Sequence, residues 1–187
     1  MHDPTDTEPP AEGGEKRRVV FLSQREACDM APVPGAAMIS ITDPDKPDAP
    51  LQPGWERLLR CAFYDGTYSE DIINWVKHDF ELLYQSYITA EQAKALKDFL
   101  DDLAAHQVEQ IFVHCYFGRS RSAAVAAYLG DTHGYAVSPA IEKPNATVLT
   151  LLNDPYHFEP LIRRYRQPAE EETAPTGWRR WWRQFFD

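Results

Sequence analysis

Ile111-Phe112-Val113 is a short, wholly apolar run that passes directly into a polar, glycine-containing stretch, His114 to Ser122, and then into the alanine-rich run Ser122 to Leu129. A strand without polar alternation is buried on both faces, the condition of parallel strands covered by crossover helices. Alanines let the following helix lie close to the sheet, and Gly130 or Gly134 offers it a terminus. Strand, loop and helix in this order lead to an α/β expectation. The sheet is central, mainly parallel and four- to five-stranded, flanked by helices on both sides, with the loop between a central strand and the alanine-rich helix.

The rest of the chain supplies the other elements. Arg18 to Ser23 and Ala37 to Thr42 are β-branched and apolar and stop at turn or breaker residues, which predicts two buried strands, and Leu58 to Phe63 predicts a third. The period then lengthens from two to about three and a half. Ile72, Ile73, Val76, Phe80, Leu83 and Tyr84 predict a helix or irregular helical insertion, with Ser69 as its cap. Thr89-Ala90-Glu91-Gln92 has the form of a capping box, and Ala93, Leu96, Leu100 and Leu103 follow on one helical face. Asn145 to Leu152 and Phe158 to Tyr165 read as two further helices.

Both ends differ from this body. Residues 1–16 hold five carboxylates and three prolines and predict a disordered acidic tail; residues 17–166 form the folded domain. Residues 167–187 read as a linker and an amphipathic helix, in which Trp178, Trp181, Trp182, Phe185 and Phe186 make one aromatic stripe with Arg179, Arg180 and Arg183 between them. Such a segment fits either a peripheral membrane contact or a helix folded onto the protein's own core. The formal net charge of −10 and pI of about 5.0 argue against a nucleic-acid surface, so any phosphate must be met by a local basic site. No run approaches the roughly 18–20 apolar residues of a membrane span. The first residues lack a basic cluster followed by an apolar run, so a cytoplasmic location is expected. Cys28, Cys61 and Cys115 are too few and too scattered for a disulfide framework or a zinc site.

The loop His114-Cys115-Tyr116-Phe117-Gly118-Arg119-Ser120-Arg121-Ser122 carries the chemistry. A turn that directs successive backbone N–H groups toward one point, backed by a helix N-terminus, is an anion site. Tyr116, Phe117, Gly118, Arg119, Ser120 and Arg121 are therefore the candidate substrate-binding residues, with Gly118 allowing the bend and the Arg121 fork able to grip two phosphate oxygens. Cys115 at the bottom of that bowl would be held as a thiolate, a nucleophile charged before substrate arrives. Ser122 can hydrogen-bond the sulfur and help it depart from phosphorus, and His114 can brace the loop from behind. Nucleophilic catalysis through a phosphocysteine follows, with no metal and no cofactor, because the loop itself stabilises the charge.

The pattern H-C-x-x-G-x-S-R-S resembles the signature of cysteine-based protein tyrosine phosphatases, most closely the small dual-specificity branch and its bacterial relatives. A chance match at His114, Cys115, Gly118, Arg121 and Ser122 is on the order of one in ten thousand for a chain of this length. The resemblance extends from about residue 18 to about residue 166, although only the loop is specific. It departs at Phe117, where relatives commonly carry a small residue, which bears on substrate range and not on the reaction.

The family takes the leaving-group proton from an aspartate on a loop before the signature. Asp65, in Phe63-Tyr64-Asp65-Gly66-Thr67 after the third strand, is the first choice, and Asp71 the alternative. The separation of 50 residues from Cys115 exceeds the family's usual gap, and the aromatic-rich segment Asp71 to Tyr87 reads as an insertion that accounts for it. The resemblance implies a tyrosine/dual-specificity phosphatase acting on phosphotyrosine, and also on phosphoserine or phosphothreonine, in proteins. Alternatives are a phosphoinositide or other small-molecule phosphatase of the same fold and a non-catalytic phosphate-binding adaptor. Arg119 adds a rim cation or pairs with a surface carboxylate; Trp75, Tyr84 and Tyr87 either flank a phosphotyrosine ring or belong to the core; Cys28 and Cys61 either trap an oxidised Cys115 or are spectators.

Overall fold

The computed structural model describes residues 17–166, so the acidic tail and the C-terminal aromatic and basic segment lie outside the described residues. In chain order the elements are β1 (Arg18–Ser23), α1 (Gln24–Asp29), β2 (Ala37–Thr42), β3 (Arg57–Ala62), α2 (Glu70–Val76), a 3-10 turn (Lys77–Asp79), α3 (Phe80–Leu83), α4 (Ala90–Ala105), β4 (Gln110–Cys115), α5 (Arg121–His133), β5 (Ala136–Ser138), α6 (Ala146–Asn153) and α7 (Glu159–Tyr165). The five strands form one sheet in the order β3-β2-β4-β1-β5, every pair parallel. β2 and β4 are buried almost throughout, whereas the edge strand β3 alternates between half-buried and exposed residues.

Strand periodicity divides the core. Val19, Phe21, Ile39, Ile41, Ile111 and Val113 face α4, α5 and α6 in the larger cluster. Met38 and Phe112 point the other way and meet Ala27 of α1, with Val33, Leu51 and Trp55 from loops. One face is therefore covered by helices and the other by a single short helix and irregular chain. The alanines of α5 do what their size allows: Ala123, Ala124 and Ala126 are fully buried against the sheet. Gly130 is also a packing residue, since a Cβ there would come within 2.7 Å of Val137 in β5.

Several elements start where local chemistry says they should. Ser69 caps α2, Thr89 and Gln92 form the capping box of α4, Asn145 caps α6, and α5 ends at Gly134 in the left-handed conformation. The insertion after Asp65 resolves into α2, the 3-10 turn and α3, held by packed aromatics: Phe80 and Tyr84 stack with ring centroids 4.9 Å apart, and Tyr68 meets Phe80 edge-to-face at 5.0 Å. β1 is followed by α1 on one face and β4 by α5 on the other, and their onward connections run to opposite sides of the sheet. That reversal is the point at which parallel sheets open a crevice at their carboxyl ends. No helix among the described residues is long and apolar enough to cross a membrane.

Candidate active site

Cys115 is the last residue of β4, in register with Ser23 at the end of β1, and is 1% exposed. The chain then turns sharply back to begin α5 at Arg121. Gly118 makes this turn possible. Its φ of +69° lies in the left-handed region, and a Cβ would fall 2.4 Å from the backbone of Leu22 and Ser23. Ser120 stands at the N-cap of α5, yet its hydroxyl does not bond the helix and instead donates to Asp65 Oδ1 at 2.7 Å. The open first turn directs its N–H groups elsewhere.

They are directed at the thiol. Burial, the largest effect on Cys115, pushes its pKa up, but hydrogen bonds from the Ser122 hydroxyl and from the backbone N–H groups of Ser122, Arg119 and Ser120 together outweigh it. The net result is a pKa below that of an ordinary thiol, with Ser122 Oγ 3.2 Å from the sulfur. The other two cysteines are different. Cys61 is pushed up to about 12 by burial alone, and burial also raises Cys28.

Arg121 is 2% exposed. Its Nη1 donates to the Phe63 carbonyl at 2.6 Å, to Asp43 Oδ1 at 2.8 Å and to the Thr42 carbonyl at 3.3 Å, so the guanidinium is anchored to the carboxyl ends of β2 and β3. Its Nε is buried with no hydrogen-bond partner, and the nearest carboxylate oxygen, Asp65 Oδ2, is 4.0 Å away. A buried charged donor left open is costly unless an anion completes it.

Asp65 is brought to the loop and Asp71 is not. Besides Ser120, Asp65 Oδ1 accepts from Asn145 Nδ2 at 3.0 Å. Asn145 is 3% exposed and ties three segments: its Nδ2 also donates to the Gly66 carbonyl, its backbone N–H to the Ser120 carbonyl, and its Oδ1 accepts from Val148 to cap α6. Asp71 sits exposed in the first turn of α2.

Other expectations change. His114 lies on the face of β4 opposite the Cys115 thiol, where Nε2 is 2.8 Å from Ser40 Oγ in β2 and a backbone hydrogen bond at Cys115 also acts on the ring. Burial first, and then the Arg60 charge, bring its pKa down to about 4, so the ring is neutral. Tyr84 packs with the aromatic core of the insertion, Tyr87 lies between Tyr84 and the Asp65 loop with its ring against Gly66 and Tyr64, and Trp75 is 81% exposed on α2. The aromatic rings at the rim are Tyr116 and Phe117, an edge-to-face pair with centroids 4.7 Å apart, and both are exposed. Arg119 is exposed and has no carboxylate within 4.0 Å among the described residues. A groove of about 280 Å³ beside the loop is lined by Gln24, Asp43, Lys46, Asp48 and Tyr116. Cys61 lies two strands from β4, at least about 9–10 Å laterally, beyond the roughly 7 Å between Cα atoms that a disulfide allows. Cys28 is on α1, which covers the other face.

No protein-family model matches the chain, and a search of curated proteins gives no match.

Sequence reasoning missed Asp43, Asn145 and Ser40. Asp43 had a signal, as a carboxylate directly after a strand, at the edge where parallel sheets place their sites. Asn145 opens a helix, as its sequence predicts, but a cap residue's second bond to a loop 79 or 80 positions away has no sequence signature.

Proposed function

We propose that this chain is a phosphomonoester hydrolase that works through a phosphocysteine intermediate, without a metal in the reaction, on tyrosine-phosphorylated protein. The observation that carries the reading is the environment of Cys115: a buried thiol whose hydrogen bonds from Ser122, Arg119 and Ser120 lower its pKa against the effect of burial. A structural thiol has no use for such donors, and Cys61 illustrates the alternative.

In this reading the Cys115 thiolate attacks phosphorus and displaces the ester oxygen, which takes a proton from Asp65. Arg121 Nε and the loop amides hold the equatorial phosphate oxygens as charge redistributes. Water then attacks the phosphocysteine, Asp65 takes its proton, and inorganic phosphate leaves as the thiolate is restored, with the Ser122 hydroxyl stabilising the departing sulfur. The contact between Asp65 and Ser120 favours an enzyme over a binding-only adaptor, because it brings a proton donor to the loop. The exposed Tyr116 and Phe117 rings favour an aryl phosphate.

Phosphate release from an aryl phosphate with a chelator present, compared for the natural chain and Cys115→Ser, tests this reading. Turnover that is lost in the variant supports it; turnover unchanged by Cys115→Ser, or absent from the natural chain, refutes it. Phosphopeptides compared with phosphoinositides address the substrate class.

A further inference from the structure

The aromatic and basic segment near the C-terminus has no part in the proposed reaction, and the described chain ends beside a surface of complementary composition. Arg166, the last described residue, lines a cavity of about 200 Å³ between α3, α4 and α7. Its floor is apolar, with Tyr68, Phe80, Tyr84, Ile88, Phe158 and Ile162. Its rim is acidic: Glu81, Glu91 and Glu159 face it. Glu81 pairs with Arg166 at 2.5 Å and Glu159 with Arg163 at 3.1 Å, while Glu91 has no cation within 4.0 Å among the described residues. On α3 itself Leu82 and Leu83, which lie outside the cavity lining, are 69% and 57% exposed.

We propose that residues 178–186 of the same chain dock on this surface. One tryptophan side chain of the stripe fills the cavity, and the arginines between the rings supply a cation to Glu91, the rim carboxylate that Arg166 and Arg163 leave open. The intervening residues 167–177 can reach at most about 36–40 Å, ample for a groove whose rim includes the residue from which they depart. With Glu81 and Glu159 already paired, the rim keeps one open carboxylate, Glu91, above an apolar floor, which suits an aromatic occupant carrying a cation better than an anionic lipid surface. Tethering does the rest. A contact as weak as about 100 μM, presented at the millimolar effective concentration of a short linker, is occupied about 90% of the time and slows exchange of the amides it covers about tenfold.

Hydrogen exchange read by mass spectrometry on the full chain tests the docking. In the natural protein, residues 178–186 should exchange about tenfold more slowly than an unstructured chain. Trp178→Ala with Trp181→Ala and Trp182→Ala should speed exchange in peptides covering residues 80–91 and 155–166 while leaving 110–133 unchanged. Glu91→Lys, an exposed substitution, should release the 178–186 amides without altering the 110–133 peptides. Three results overturn the proposal: unprotected 178–186 amides, protection that appears only with anionic phosphatidylserine vesicles, and protection that grows with protein concentration and so reports a second copy.

Discussion

Replacing Gly118 by alanine separates two costs that the structure keeps apart elsewhere. At Gly134 the φ of +72° is left-handed, but a Cβ would meet nothing within 4 Å, so Gly134→Ala carries only the conformational penalty, about 1–2 kcal/mol. At Gly118 the φ of +69° is similar, and the Cβ would also fall 2.4 Å from the Leu22 carbonyl carbon and the Ser23 nitrogen. Those atoms are backbone at the end of β1, held in register with His114 and Cys115 of β4, and they cannot turn away as a side chain would. Overpacking adds about 1–3 kcal/mol, for a total of about 2–5 kcal/mol. For a domain of this size each kcal/mol lowers Tm by about 2–4 °C, so the expected fall is about 4–20 °C for Gly118→Ala against about 2–8 °C for Gly134→Ala. Calorimetry reads the difference. Iodoacetamide alkylation near neutral pH supplies a second readout, because moving the turn misaligns the amides that hold the Cys115 thiolate, and its alkylation should slow in Gly118→Ala but not in Gly134→Ala. If the two variants lose equal stability and alkylate alike, the close seating of the loop on β1 is not what shapes the site.

Three further outcomes follow from the same geometry. His114 is fully buried with a folded pKa of about 4 against 6.5 for a free imidazole, so only the unfolded chain takes up its proton between those values, and stability falls as pH drops from 6.5 toward 4, by up to about 3 kcal/mol. Urea midpoints at pH 7 and pH 4.5 should show this slope in the natural protein and a shallower one in His114→Gln; equal slopes would remove His114 from the account. Asp65→Asn should slow hydrolysis of aryl phosphates with poor leaving groups by about 10²–10⁴ and matter least for good ones, and an equal loss for both would reassign the proton donor. Asn145→Ala should cost about 1 kcal/mol for the lost cap of α6 and should shift the leaving-group dependence in the same direction as Asp65→Asn, which a purely structural loss would not do.

Much of this was legible because it is local. β1, β2 and β4 are short, mostly apolar and β-branched runs that stop at turn or polar residues, as strands of a covered parallel sheet do, and α4 and α6 begin at residues whose side chains satisfy their own first amides. α1 was also within reach: Ser23 and Glu26 form a capping box, and the short apolar content that follows is what hid it. β5 was not. Its three residues are half-buried or exposed and extended only because β1 offers them an unpaired edge. The third strand is displaced by one residue, Arg57–Ala62 in place of Leu58 to Phe63: the Phe63 N–H still donates to the Thr42 carbonyl, while its side chain is buried in the core and its carbonyl receives Arg121.

Sequence alone determined the order of strand, turn and helix around Cys115, the residue types in that turn and the need for glycine within it, because these depend on chemistry between neighbours along the chain. Only the tertiary structure decided which acids meet it. Asp43 and Asp65 reach Arg121 and Ser120 from the ends of β2 and β3, 78 and 55 positions away, and Asn145 arrives from the start of α6. Strand order in a parallel sheet sets those distances, and strand order is the outcome of packing helices on its two faces, which no stretch of neighbouring residues encodes.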